Sequence, residues 1–246
     1  LRGINIKKVI KKPLSSESGS RGGIKEIKMR AYFSSYHLWA AKHFLELATD
    51  IEDNGQDTPV FNIEHRAYIH NSVLSSVAFL EAAINELFQD AHDEHQSYIN
   101  ALDPLIIEKL SSYWATTEIK RKFKPTLVKY QQALIITDSN KMIEDENLYE
   151  DTRLAIELRN FLTHYKPKSV GGDSTHVLQY ELKGKFPLNK KYEKSGNSDF
   201  PDKMLGKGCA EWSFVSVQNF ADEFFRRMDI QPNYQRVDFE KLGDKK

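Results

Sequence analysis

The chain has 246 residues, 40% of them hydrophobic, with 35 Lys and Arg balanced by 35 Asp and Glu. That length and apolar content support one sizeable core, while the zero formal net charge argues against a protein that coats nucleic acid through bulk electrostatics. A single cysteine, Cys209, excludes an internal disulfide framework, and no apolar run approaches the ~20 residues of a membrane span, so a soluble cytoplasmic protein is expected.

Residues 1–30 carry nine Lys and Arg against two Glu, with the Ser/Gly-rich run Ser15 to Gly23 in their middle. A basic, flexible N-terminal arm is expected there, with no signal peptide in Leu1 to Leu14. Helical periodicity then runs over Ser34 to Glu52, Glu64 to Asp93, Pro104 to Trp114, Pro125 to Thr137, Asn147 to Tyr165 and Cys209 to Met228. Between residues 166 and 207 the pattern breaks. His176 to Leu182 alternates like a strand and a Lys/Gly/Asn/Ser-rich loop follows, which predicts a small strand and loop insertion before the last helix. The expected organisation is therefore an arm over 1–30, a helical domain over 31–230 and a C-terminal tail over 231–246, all-α in class, with five to six helices forming the bundle.

The helix from Glu64 to Asp93 has two apolar stripes, one of Leu74, Val77, Ala78, Ile84 and Phe88 and one of Ile69, Leu80, Ala83 and Leu87. A helix so patterned is buried on two sides. Glu81 and Asn85 lie inside the first stripe, where a carboxylate is costly unless paired, and an Arg on a neighbouring helix is the obvious partner. Two readings stand side by side: Glu81, with Asn85 beside it, orients Arg159 for chemistry, or both residues only tie the bundle together.

The segment that carries chemistry is Leu158-Arg159-Asn160-Phe161-Leu162-Thr163-His164-Tyr165. Leu154, Leu158, Phe161, Leu162 and Tyr165 form its apolar stripe, and Arg159, Asn160, Thr163 and His164 point away from it. Arginine is a permanent planar cation matched to phosphate, and histidine moves protons near neutral pH, so the pair fits cleavage of a phosphodiester without a metal or cofactor. Chance alone gives about 0.02 Arg-Asn pairs with His at this spacing in a chain of this composition. Five residues separate Arg159 from His164, about 140° on an ideal helix. One rigid helix therefore does not aim both at one phosphate unless the long Arg side chain bends round or a second copy of the chain contributes, and a paired site across a dimer axis solves the geometry. Pro167 disfavours helical geometry at Lys166, which puts His164 in the last turn.

Arg159-Asn160-x-x-x-His164, on the penultimate long helix, resembles the R-x4-6-H motif of the HEPN superfamily, whose usual form has a polar residue just after the Arg. Ser72 to Leu87 looks like the long central helix of bacterial HEPN proteins, and Trp212 to Met228 looks like the closing helix. The resemblance spans roughly residues 34 to 228. It implies a HEPN-like helical bundle that forms a homodimer through the motif helix, with Arg159 and His164 as catalytic pair and Asn160 in support. The activity it implies is metal-independent cleavage of RNA by 2′-OH attack, leaving 2′,3′-cyclic phosphate ends, in a bacterial defence or toxin effector controlled by an inhibitor, antitoxin or larger complex. Some members of the superfamily bind without cutting, so a dimeric module that holds RNA or a protein partner is the rival expectation.

Other groups attract blander readings. Lys120, Arg121, Lys122, Lys124 and Lys129 form a basic cluster that suits an RNA backbone, although a solvated surface has the same composition. His92, His95, His65 and His70 lack the fixed spacing of a metal site and read as solvated helix ends. Trp212, Phe214, Val217, Phe220, Ala221, Phe224, Phe225 and Met228 recur at helical spacing and read as core rather than as a base-stacking platform. No Gly-rich phosphate loop, Gly-x-Ser-x-Gly elbow or Cys pair is present, so nucleotide hydrolysis, serine hydrolysis and zinc chemistry have no foothold.

Overall fold

The computed structural model of the chain describes residues 30–54, 61–119, 125–139, 147–166, 177–192 and 195–236. Two units divide the chain, residues 1–31 and 32–246, and the architecture below is that of the second. Its described residues are all helical or irregular: α1 (Phe33–Asn54), α2 (Ile63–His92), α3 (Pro104–Ile119), α4 (Thr126–Ile136), α5 (Asn147–Thr163), α6 (Val177–Leu182) and α7 (Lys207–Arg227), with short 3-10 turns at Tyr98–Ala101 and Asn233–Arg236.

The long helix α2 is the axis of the fold, packed by α1, α3, α4, α5 and α7. Its two stripes explain that role. Ile69, Val77, Leu80, Ile84, Leu87 and Phe88 are all completely buried, so the helix has core on two sides. It starts where the Asn62 side chain accepts the His65 backbone N–H at 3.0 Å, an N-cap that satisfies a donor left over by the first turn. It stops at Asp93, and Glu94 takes a left-handed conformation with φ of 49°. Phe220, Phe224 and Phe225 of α7 complete the main core, and the buried Tyr130 ring of α4 meets the first two edge-on at 5.2 and 4.6 Å. The helix over Trp212 to Met228 is thus core, as its spacing predicts.

Hydrogen bonds from the start of α1 fix its register against α2. Ser34 donates to Glu86 through its backbone N–H at 2.8 Å and its hydroxyl at 2.6 Å, and the Tyr32 hydroxyl donates to the buried Asp90 at 2.9 Å. Burial pushes the Glu86 carboxyl above its ordinary range, opposed by the Ser34 donors. At the other end of α1, Glu52 is buried against His65 of α2, with Glu52 Oε2 3.1 Å from His65 Nε2. The same carboxylate accepts the backbone N–H of Lys207, the first residue of α7, at 2.8 Å and that of Lys190 at 3.4 Å. Glu52 therefore joins α1, α2, the start of α7 and the segment before it.

Three expectations need correction. The strand expected from His176 to Leu182 is not found over the described residues: Val177–Leu182 forms α6, burying Leu178 and Leu182 one turn apart and leaving Val177 and Tyr180 exposed. His65 is not solvated, since it is the buried partner of Glu52. Packing also continues past residue 230, where a tail is expected to begin, because Tyr234 is buried with its ring edge-on to Phe79 at 4.8 Å and its hydroxyl donating to Asp222 at 2.8 Å. Residues 1–29 of the expected basic arm, residues 167–176 and 193–194 of the insertion, and residues 237–246 lie outside the described residues.

Candidate functional site

Helix α5 buries Thr152, Leu154, Ala155 and Leu158 and packs on α7 and α2. Thr152 secures it by donating its hydroxyl to Leu148 O at 2.8 Å and to Ser216 O on α7 at 3.3 Å. The apolar stripe fades toward the C-terminus: Phe161 and Leu162 are half-buried and Tyr165 is exposed, although Phe161 still stacks obliquely on Phe200 at 4.9 Å. The helix ends at Thr163, and His164 closes its last turn by donating its backbone N–H to Asn160 O at 2.9 Å. Thr163 donates its hydroxyl to Arg159 O at 2.9 Å. All of Asn160, Thr163 and His164 are exposed.

Arg159 does not join them on the outside. Its guanidinium turns back along the helix to form an ion pair with Glu81 of α2, through NH2 and Oε1. Arginine reaches this far because its long apolar stem crosses the helix boundary before the charge is presented. Its Nε is buried and lacks a hydrogen-bond acceptor, so the guanidinium is held at one end only. The side chains keep 21% (Arg159) and 31% (Glu81) of their surface, which leaves the pair at the rim of the core within reach of water or a ligand.

Helix α4 contributes Thr126, which the sequence reading passes over, and Lys129, which it places in the basic cluster and which is buried here rather than on the surface. Thr126 donates its hydroxyl to the same Glu81 oxygen at 3.3 Å, and Lys129, one turn on, donates its ammonium to Asn85 Oδ1 at 2.7 Å. Both are buried. Burial lowers the Lys129 ammonium below its ordinary value, and the Glu81 charge opposes that shift. Lys129 also lies over the Trp114 ring, 5.8 Å from its centre. The signal for these residues was available in part: a Thr and a Lys three apart inside an apolar helix pose the same question as Glu81 and Asn85 do in α2.

The structure thus brings together Arg159, Glu81 and Thr126, and beside them Asn85 and Lys129. It does not bring Asn160 or His164 into that network, and neither makes a side-chain hydrogen bond to a described residue. Arg159, expected on the outer face with Asn160, Thr163 and His164, instead presents its guanidinium to Glu81, and the imidazole is exposed at the helix end. Asn85 binds Lys129 rather than Arg159, so within the network it stands next to the ion pair and not in it. Lys120, Arg121, Lys122 and Lys124 of the basic cluster lie outside the described residues.

Chemically, the site offers a strong anion ligand partly satisfied by a carboxylate and, at the end of the same helix, a proton-carrying ring open to solvent. Among the described residues no group of three or more His, Cys, Asp or Glu is placed to hold a metal ion, and no helix is long and apolar enough to cross a membrane. No family model, curated protein or solved structure matches the chain.

Proposed function

We propose that this chain is a metal-independent endoribonuclease of HEPN type that works as a homodimer. The observation that carries the reading is the end of α5, where an arginine anchored at one end by Glu81 precedes an exposed Asn160 and His164. In the proposed reaction the RNA 2′-oxygen attacks the adjacent phosphorus and the bond from phosphorus to the 5′-oxygen breaks, giving a 2′,3′-cyclic phosphate and a 5′-hydroxyl. One imidazole takes the 2′-OH proton and another delivers a proton to the leaving oxygen, a division that two copies of His164 across a dimer axis would supply. Arg159 neutralises charge on the nonbridging oxygens, and Asn160 hydrogen-bonds the phosphate or the His ring. Glu81 orients the guanidinium. A bacterial defence or toxin effector held in check by an inhibitor, antitoxin or larger complex is the role this activity would serve.

The test is incubation of purified protein with tRNA and total RNA in excess chelator, followed by mapping of the cut ends. Cyclic phosphate ends, lost on Arg159→Ala and on His164→Ala and absent with DNA, are the expected result. Cleavage that survives His164→Ala would rule the mechanism out. A second reading has its own observation: because Arg159 is engaged by Glu81 while His164 is exposed beyond it, the same surface suits a dimeric HEPN-like adaptor that holds RNA or a protein without cutting. RNA bound but left intact by the wild type would favour that reading.

A further inference from the structure

An arginine meant for phosphate is here engaged by a carboxylate. An anion that binds the guanidinium shares it with Glu81, and a half-buried carboxylate whose ion pair is shared is costly unless something else compensates it. The structure contains the compensation. Glu81 and Asn85 are one turn apart on α2 and face Thr126 and Lys129, nearly one turn apart on α4. Thr126 holds the Glu81 oxygen that Arg159 also uses, and the Lys129 ammonium, held by Asn85 one turn from Glu81, adds a second positive charge beside the same carboxylate. Lys129 is itself fixed, because its stem is buried and its ammonium is held by Asn85. One carboxylate between two cations leaves a single positive charge in the cluster, the complement of one phosphodiester.

We propose that Lys129 is a positioning residue of this anion site: it steadies the Glu81 carboxylate while a phosphate shares the Arg159 guanidinium. The proposal deepens the reading of Arg159 as a phosphate ligand and rests on it. Lys129 acts through Glu81 and does not itself touch the substrate, since it is buried. Its importance follows from the charge on Glu81. Once that charge is removed, nothing needs to be steadied and Lys129 becomes dispensable for binding.

The experiment measures binding of a fluorescent, uncleavable 2′-O-methyl RNA oligonucleotide by anisotropy at fixed salt. It compares wild type with Arg159→Ala, Lys129→Met, Lys129→Arg, Glu81→Gln and the double variant Glu81→Gln/Lys129→Met. The expected results are about tenfold weaker binding for Lys129→Met, near wild-type binding for Lys129→Arg, and recovery to within about twofold of Glu81→Gln in the double variant. Recovery separates this role from a structural one, because a hole left by the lysine stem would persist in the double variant. Should Lys129→Met fail to fold, the comparison of Lys129→Arg with the double variant decides. Equal weakness of Lys129→Met in both Glu81 backgrounds, or wild-type binding by a folded Lys129→Met, overturns the proposal. If Arg159→Ala binds as well as wild type, or the wild type does not bind, the phosphate reading of Arg159 fails and the proposal with it.

Discussion

Two carboxylates, Glu52 packed against the start of α2 and Glu81 past its middle, are partnered in different ways. Glu52 meets His65 near the start of α2, with side chains only 1% and 2% exposed, and it also accepts two backbone N–H groups, from Lys207 and Lys190. Glu81 meets Arg159 farther along α2, where both side chains keep contact with solvent, and the donors it accepts are side chains, Arg159 and Thr126. Backbone donors are fixed by the fold and do not move without it. Side-chain donors rotate. The Glu52 cluster is thus part of the architecture, whereas the Glu81 cluster can exchange one partner for a ligand at a cost set by its neighbours. Burial and donor type together separate a structural polar cluster from a candidate site more sharply than the presence of an ion pair does.

The largest effect is expected at the architectural end. Glu52→Ala leaves the Lys207 N–H and the His65 ring without their buried acceptor and should cost about 3–5 kcal/mol, read as a lower midpoint in denaturant unfolding. A loss below about 1 kcal/mol would show that the cluster is not the tie described above. Acid provides a second reading of the same group. Burial pushes the Glu52 carboxyl up, but hydrogen bonds from His65 and from the Lys207 and Lys190 backbones, with the His65 charge, bring it below its ordinary 4.5. A depressed folded value means that the stabilisation is complete above pH 4.5 and is lost as pH falls through the folded value. Wild type should therefore lose stability more steeply below pH 4.5 than Glu52→Gln, and parallel acid limbs would contradict this.

How much of this contrast the sequence discloses depends on the distance over which its causes act. Arg159 and Glu81 are 78 residues apart, yet an acid inside an apolar stripe calls for a cation, and the only arginine in the motif supplies it. Thr126 escapes because α4 is short and it reads alone as an ordinary residue on an amphipathic helix, and Lys129 reads as one of a basic surface cluster; only the facing of α4 on α2 makes them part of a buried network. His65 escapes for the same reason, its acid lying on the preceding helix across a loop. The segment from Val177 to Leu182 fails differently. Leu178 and Leu182 fit both an alternating strand and one side of a helix, and a six-residue run carries too little periodicity to decide, so packing against the second core cluster does so.

At the exchangeable end the expected split is between activity and stability. Glu81→Gln keeps an acceptor for Thr126 and Arg159 but removes the charge, so unfolding free energy should change by less than about 1 kcal/mol. RNA cleavage should fall at least about tenfold, because the guanidinium loses its ionic anchor and about 1.4 kcal/mol of transition-state stabilisation is enough for that factor. The measurement is kcat and KM on one defined RNA alongside a denaturant melt. Full activity removes Glu81 from the site, and a stability loss as large as that of Glu52→Ala would erase the difference between the two clusters.

The smallest effect tests how the Glu81 carboxylate is aimed. Thr126 is buried and holds the oxygen that Arg159 uses, at a longish 3.3 Å, so Thr126→Val preserves the packed volume and deletes one modest hydrogen bond. A purely architectural contact would lose at most about 1 kcal/mol of stability with no change in kcat. An aiming contact predicts a similar stability loss together with a fall of a few-fold in kcat and little change in KM, since the guanidinium would still bind phosphate but less often in the productive orientation. The corresponding change beside Glu52 should show no such split, because the proposed reaction does not involve that carboxylate.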